Sequence, residues 1–534
     1  MVSACPKYEY FLNQKLVTNE GSLEKEPEMD VNAKILFLNP PYFAKKGHVV
    51  YKEQGGGIGF TKLGNIREAK KRPILDMLHS VQICEDEGFT SDVFDDQYSP
   101  SDDFEEFIDQ IEDLNQYDYV FIRTALPTIH NDLLIAKKLK PLMARQGKIC
   151  IFGPAVLKNI HWYKKFTESF DVLVSSEITA VVKDIASGIK PSTIQGCYES
   201  IKGELVCDDP TDAKADLESL PFLPYHRPMF KGYEKYIISS QGCPIGCNYC
   251  PYILGQGTKF RARTPKQVVN ELEYYEKELG ITQIMFRDPN FGFKNTRAME
   301  ICQEIIDRKL TIKWDCETVL VTLKNELIEL MGKANLARIQ FGIESLSEEV
   351  LKNSNRPVKL AEHQKVVEKI NKCHSAGITT YGFFVIGLEG DTMKNILETP
   401  EYAISLNLNR AQFMTPNLYP GTKLHADALE QGLISQDMLS DPKKYFDKIG
   451  SHGKVQFNLS QHLNLIQLRI AKSYCDLLWA NHKKRKNSIK RKMVGIYLKM
   501  LKGILLASNN TLILSPVYSV YKLLHHVRST FKHV

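Results

Sequence analysis

From residue 34 to residue 414 the chain repeats one unit: a short apolar run, a turn, then a stretch of helical length and spacing. Apolar runs at 35–38, 91–94, 119–122, 148–152 and 171–174 flank helical patterns at 74–87 and 133–143. Strand, helix and strand in repetition require a parallel sheet with helices on both faces. Ligands in such sheets bind where strands end at their carboxyl edge. Those edges carry Pro41, Thr124, Gly153 and Glu177, the candidate binding positions of the first half. A proline-rich linker follows at 207–232, where Leu220-Pro-Phe-Leu-Pro224 favours extended backbone. A second series has strands at 236–239, 284–286, 312–314, 338–341, 380–386 and 412–414, and a helix at 265–279 with Pro265 at its start and Gly280 after it. Six βα units predict a partial barrel of the TIM kind, with its chemistry at strand carboxyl ends.

The first strand of that series leads into Cys243-Pro-Ile-Gly-Cys247-Asn-Tyr-Cys250. A closed zinc site wants four ligands, commonly as pairs. Three thiolates on one loop instead suit a 4Fe-4S cluster with one iron left open. The other nine cysteines are scattered, as single small core residues are. There is no secreted disulfide framework and no signal-peptide pattern, so a reducing cytoplasm is the expected setting.

Further motifs extend the cysteine loop into a resemblance over roughly 34–430. Arg261-Ala-Arg-Thr-Pro265, Asp288-Pro-Asn-Phe-Gly292, Gly342-Ile-Glu-Ser345 and Tyr419-Pro-Gly-Thr422 follow in order, with the Leu220–Pro224 linker before them. The chain resembles the cobalamin-binding radical S-adenosylmethionine (radical SAM) family, the class B methyltransferases and relatives. The resemblance implies that Cys243, Cys247 and Cys250 hold three irons of the cluster. It implies that Tyr249, Asp288, Asn290, Glu317, Glu344 and Ser345 surround S-adenosylmethionine. The first sheet would be the cobalamin domain. Its Asp-x-His-x-x-Gly motif for a cobalt-binding histidine is absent, since His79 follows Asp76 at a different spacing. Phe384-Val-Ile-Gly387-Leu-Glu-Gly390 departs from the family's adenine-side pattern, and Gly55–Gly59 could approach a corrin or form a plain loop.

The resemblance implies cleavage of S-adenosylmethionine to a 5′-deoxyadenosyl radical, then methylation of an unactivated carbon through methylcobalamin. Alternatives are a radical SAM cyclase or oxidoreductase without methyl transfer, or a non-catalytic cobalamin- or cluster-binding sensor. The implied partners are a small-molecule or lipid-linked substrate and a one-electron reductant, a flavodoxin or ferredoxin.

Charge separates the end of the chain from the rest. Residues 482–534 hold twelve lysines or arginines and no acid, although the whole chain carries only +6. The body is therefore mildly acidic, which argues against nucleic acid as its partner. Residues 493–506 are apolar except for Lys499 and Lys502, too short to span a bilayer. A basic helix at an anionic membrane surface fits this pattern, giving a cytoplasmic protein peripheral to the inner membrane. A helical bundle with a solvated basic face is the alternative. The expected organisation is an N-terminal extension (1–32), a doubly wound domain (33–206), a linker (207–232), a radical SAM core (233–430) and a helical, basic C-terminal region (431–534).

Overall fold

The computed structural model describes residues 33–43, 48–51, 60–63, 70–98, 100–111, 113–154, 156–356, 363–449, 457–483, 489–507 and 514. The Gly55–Gly59 run and the N-terminal extension lie outside the described residues.

The first half forms β1 (Lys34–Asn39), β2 (His48–Tyr51), β3 (Phe60–Leu63), β4 (Thr90–Asp95), β5 (Tyr119–Arg123), β6 (Lys148–Phe152), β7 (Val172–Val174), β8 (Cys197–Ile201) and β9 (Glu204–Val206). Seven of these make one sheet in the order β4-β1-β5-β6-β7-β8-β9, and β2 and β3 pair as a separate hairpin. Pairings from β4 through β7 are parallel, while β7-β8 and β8-β9 are antiparallel. The doubly wound expectation holds for the five parallel strands, to which a polar edge hairpin is added. The chain leaves β1 toward β4 on one side and toward β5 on the other, so the switch point lies between β1 and β5. Parallel strands are covered on both faces and read as apolar runs. All five residues of β5 are accordingly buried.

The second half contains β10 (Tyr236–Ile237), β11 (Ser240–Gln241), β12 (Arg261–Ala262), β13 (Gln283–Phe286), β14 (Lys313–Thr318), β15 (Leu336–Glu344), β16 (Thr379–Val385) and β17 (Arg410–Met414). Six form an all-parallel sheet in chain order, β10-β13-β14-β15-β16-β17, the partial barrel expected from the sequence. β11 and β12 pair antiparallel across the cysteine loop. The helix Pro265–Lys277 starts where Thr264 caps the Gln267 N–H and Pro265 occupies the first turn, which lacks helix acceptors.

One hydrophobic core runs continuously from the first sheet, through Tyr225 and Phe230 of the linker and the adjoining Tyr233, into the barrel. Beyond β17 the regular elements among the described residues are all helical, as expected. The segment around Met438–Ser440 turns back to the first sheet, where Trp162 Nε1 donates to the Leu439 carbonyl at 2.7 Å. The helix Leu465–His482 instead packs on the barrel, against Met393–Ser405.

Candidate active site

The cysteine loop leaves β11 at Gly242, whose φ of +79° favours glycine and where a Cβ would strike the Lys259 carbonyl. The loop is docked on the segment after β15. Asn248 N donates to Ser354 O (3.2 Å) and Asn248 Nδ2 to Asn353 O (2.8 Å). Asn355 Nδ2 donates to the carbonyls of Ile245 (3.2 Å) and Gly246 (2.9 Å). Irregular backbone is thereby held by hydrogen bonds at several points, as a ligand-bearing loop requires.

Arg356 joins the loop to the barrel's strand ends. Its Nη1 lies 3.6 Å from Cys247 Sγ, and Nη2 donates to Gly342 O at 2.8 Å and faces Glu344 at 3.5 Å. Glu344 sits at φ +70° immediately after a register break between β15 and β16. A bulge of this kind re-aims a side chain out of the strand's alternation. The Glu344 carboxylate consequently lies over Gly342, where any Cβ would collide with it. Burial raises the Glu344 pKa, and Arg356 opposes the rise. Burial also raises the Cys247 thiol, with Arg356 again opposing, and pushes Cys250 up to about 12. Tyr249 lies beside Glu344 and Arg356, its hydroxyl out of solvent.

The remaining barrel residues divide by how their polar atoms are used. Asp288 is fully buried and accepts from Ser239 N (2.8 Å), Ser239 Oγ (2.5 Å) and Ser240 Oγ (2.6 Å). Its carboxylate is committed to the strand that launches the cysteine loop, a positioning arrangement. Asn290 Oδ1 accepts from Thr318 and Val319, while its buried Nδ2 has no hydrogen-bond partner. Glu317 receives Tyr252 Oη (2.7 Å) and Arg287 Nη1 (3.1 Å). Ser345 Oγ accepts from Ser347 N at 3.1 Å. Arg287, Tyr252 and Arg356 were not readable as site residues. Their signal is tertiary: nothing in their local spacing distinguishes them from surface cations or a packed tyrosine.

Between the two sheets lies a cavity partly open to solvent. Its walls include Gly153, Ser176 and Glu177 from the first sheet's carboxyl edge, His79, and Leu254-Gly255-Gln256 just beyond Cys250. Pro41 and Thr124 do not line it. They belong to the switch point, where Pro41 O accepts from Asn131 Nδ2 (2.8 Å) and Thr124 N donates to Phe152 O (2.8 Å). A smaller cavity opens between Leu126, His130 and Phe446. Gly153, at φ +155°, brings its backbone against the Thr124 carbonyl, a space that no Cβ could share. Glu177 is clamped by Arg261 of β12 through both carboxylate oxygens, and Lys214 adds a contact at 3.3 Å. His79 Nδ1 lies 3.1 Å from the Pro221 carbonyl, and burial lowers its pKa to about 4. The neutral ring therefore donates through Nδ1 and leaves a buried Nε2 with no partner at the cavity wall. Gln256 Nε2 is likewise buried and without a partner.

Both sites pass a test of fit. Cys243, Cys247 and Cys250 stand on one loop, with Cys247 buried and the other two half-buried. Three thiols on one loop suit a cluster whose irons are held one by one. At the cavity, the two buried unpartnered nitrogens, His79 Nε2 and Gln256 Nε2, suit a ligand rich in amide groups.

Residues 237–403 match the radical SAM superfamily. Those residues are a radical SAM domain. The chain is 24% identical to bacteriochlorophyllide d C-12(1)-methyltransferase of Chlorobaculum tepidum, over 58% of this chain and 66% of the relative. It is also 24% identical to anaerobic magnesium-protoporphyrin IX monomethyl ester cyclase of Rubrivivax gelatinosus, over 57% of this chain and 56% of the relative. Each match thus spans less than two thirds of the relative's own length. The radical SAM fold and its N-terminal partner sheet are shared with the radical S-adenosylmethionine methyltransferase TsrM of Kitasatospora setae, a structure with cobalamin and a 4Fe-4S cluster bound. That superposition has a TM-score of 0.61 at 15% identity, covering 78% of this chain and 81% of the other.

Proposed function

We propose that the protein is a cobalamin-dependent radical SAM methyltransferase acting on an unactivated carbon. The observation that carries this reading is the continuity of the two sites: the segment bearing Cys250 runs directly into Leu254-Gly255-Gln256, which walls the cavity facing the first sheet. When bound, the cluster would supply the electron that splits S-adenosylmethionine, and cobalamin would carry the methyl group.

Cys243, Cys247 and Cys250 would hold the cluster, with the Arg356 guanidinium beside Cys247 favouring its thiolate form. Asn290, with its unpartnered Nδ2, and Glu344, Ser345, Glu317 and Tyr249 would surround S-adenosylmethionine. Asp288 would act on them through the loop it pins. Gly153, His79 and Gln256 would face cobalamin, while Pro41 and Thr124 would support the neighbouring switch point. Glu177, tied to Arg261, would keep that cavity's two walls together. A one-electron donor of the flavodoxin or ferredoxin class would serve the cluster, and the substrate would be a small or lipid-linked molecule.

Anaerobic reconstitution with iron, sulfide, cobalamin, reductant and candidate substrates tests this. The expected products are 5′-deoxyadenosine, S-adenosylhomocysteine and a methylated compound, with 5′-deoxyadenosine abolished by Cys247→Ala. The absence of 5′-deoxyadenosine from the wild type would sink the reading. The similarity to a cyclase keeps one alternative: 5′-deoxyadenosine without S-adenosylhomocysteine would assign ring formation or oxidation instead.

A further inference from the structure

The helix Ile489–Ala507 has two apolar faces, and only one is covered. Leu498, Leu501 and Leu505 are buried against the helix Leu465–His482 and the barrel, with Val494, Tyr497 and Ile504 packed around them. On the opposite side Met493, Ile496, Met500 and Leu506 are 67%, 70%, 58% and 55% exposed. Among the described residues these are the four most exposed large hydrophobic side chains. Met493, Ile496 and Met500 follow at spacings of three and four, so they make one stripe that Gly503 and Ala507 continue. Exposed Lys492 and Lys499 border it along one side. Lys502 points elsewhere, to Glu401 at 2.7 Å.

We propose that this stripe is a docking face for an anionic lipid surface, with the helix lying in the plane of the membrane interface. Three observations select that occupant. The region 482–534 has twelve basic residues and no acid, so it is attracted to anionic headgroups. The exposed side chains are flexible or aliphatic with lysines at their border, the composition of a helix that sinks one face into the acyl boundary. No described helix is long and apolar enough to cross a bilayer, so the contact is peripheral. A second copy docked stripe to stripe would bring the same lysines of both chains together without a carboxylate between them, which disfavours self-association. Nucleic acid would use the charges and leave the stripe in water. The proposal is independent of the methyl-transfer reading.

The test is flotation of the purified full-length chain with vesicles of phosphatidylcholine, with and without roughly a third phosphatidylglycerol. The wild type is expected to float with the anionic vesicles and to be released by salt. Met493→Ser, Ile496→Ser and Met500→Ser together are expected to weaken partitioning by about tenfold or more. Because these side chains touch solvent, the circular dichroism melt should be unchanged. Lys492→Glu with Lys499→Glu is expected to weaken binding to anionic vesicles while leaving the melt intact. Equal flotation of the triple serine variant and the wild type would overturn the proposal. So would no flotation at all, or equal binding to neutral and anionic vesicles. A dimer that the triple variant dissolves, with no vesicle binding, would assign the face to self-association. Binding that appears only after residues 508–534 are removed would assign the stripe to a cover within the chain.

Discussion

A carboxylate as enclosed as Glu344 is costly unless a cation answers it, and Arg356 is the group that does so here. Arg356→Leu should destabilise the metal-free protein by about 3–5 kcal/mol, because it strands that carboxylate and frees the Gly342 carbonyl. Adding Glu344→Gln should restore most of the loss, and urea denaturation of the single and double variants measures both. This pairing was hidden from sequence. The Gly342-Ile-Glu-Ser345 motif marked Glu344, yet the bulge that turns it toward Arg356 depends on the register of β15 against β16. The three cysteines were legible because their chemistry is written in local spacing. Asn290 was also marked by its motif, but only the fold shows that Oδ1 is occupied and Nδ2 is not.

Elements were legible where one rule governed them. The apolar runs of a buried parallel sheet gave β1, β5, β6 and β16 within a residue or two. β14 extends four residues beyond the apolar run at 312–314, because Asp315 and Glu317 alternate with core residues and find Arg338 and Arg287. The edge strands β8 and β9 carry few apolar side chains and gave no comparable signal. The helix expected at 133–143 begins earlier, at Ile129, and ends at Leu139. The turn after β16 offers a test at this scale. Asp391 accepts the Gly387 N–H at 2.8 Å, and burial raises its pKa from 3.8 to about 7 despite that bond. A folded-state pKa above the unfolded one means that stability is full below about pH 4 and is lost as pH rises through 7. Asp391→Asn should therefore gain on the wild type with rising pH, by about 4 kcal/mol at pH 8 relative to pH 4. His79 and His425, both lowered to about 4 by burial, act with opposite sign between pH 6.5 and 4. They are common to both proteins, so the difference between urea midpoints isolates Asp391.

At the scale of the whole molecule, two sheets share a core and are tied together by polar contacts. Arg261 reaches Glu177, Gln241 and the Ala215 carbonyl, and Arg227 of the linker reaches Glu85. Glu177→Gln should loosen this closure without unfolding either sheet, raising proteolysis within 207–232 several-fold while the far-ultraviolet spectrum holds. The order of these parts was legible, because each βα series announces itself by periodicity. Their docking was not, since it rests on contacts such as Trp162 with Leu439 that join residues far apart in sequence. The short backbone from Cys250 to Gln256 has a thermodynamic consequence. A metal on the thiols and a ligand in the cavity would restrain the same stretch of chain, so their binding free energies should be coupled. Linkage makes any such coupling reciprocal. The factor by which an occupied cavity tightens iron retention must equal the factor by which bound iron tightens the cavity's ligand, and paired titrations would read the same number from either direction.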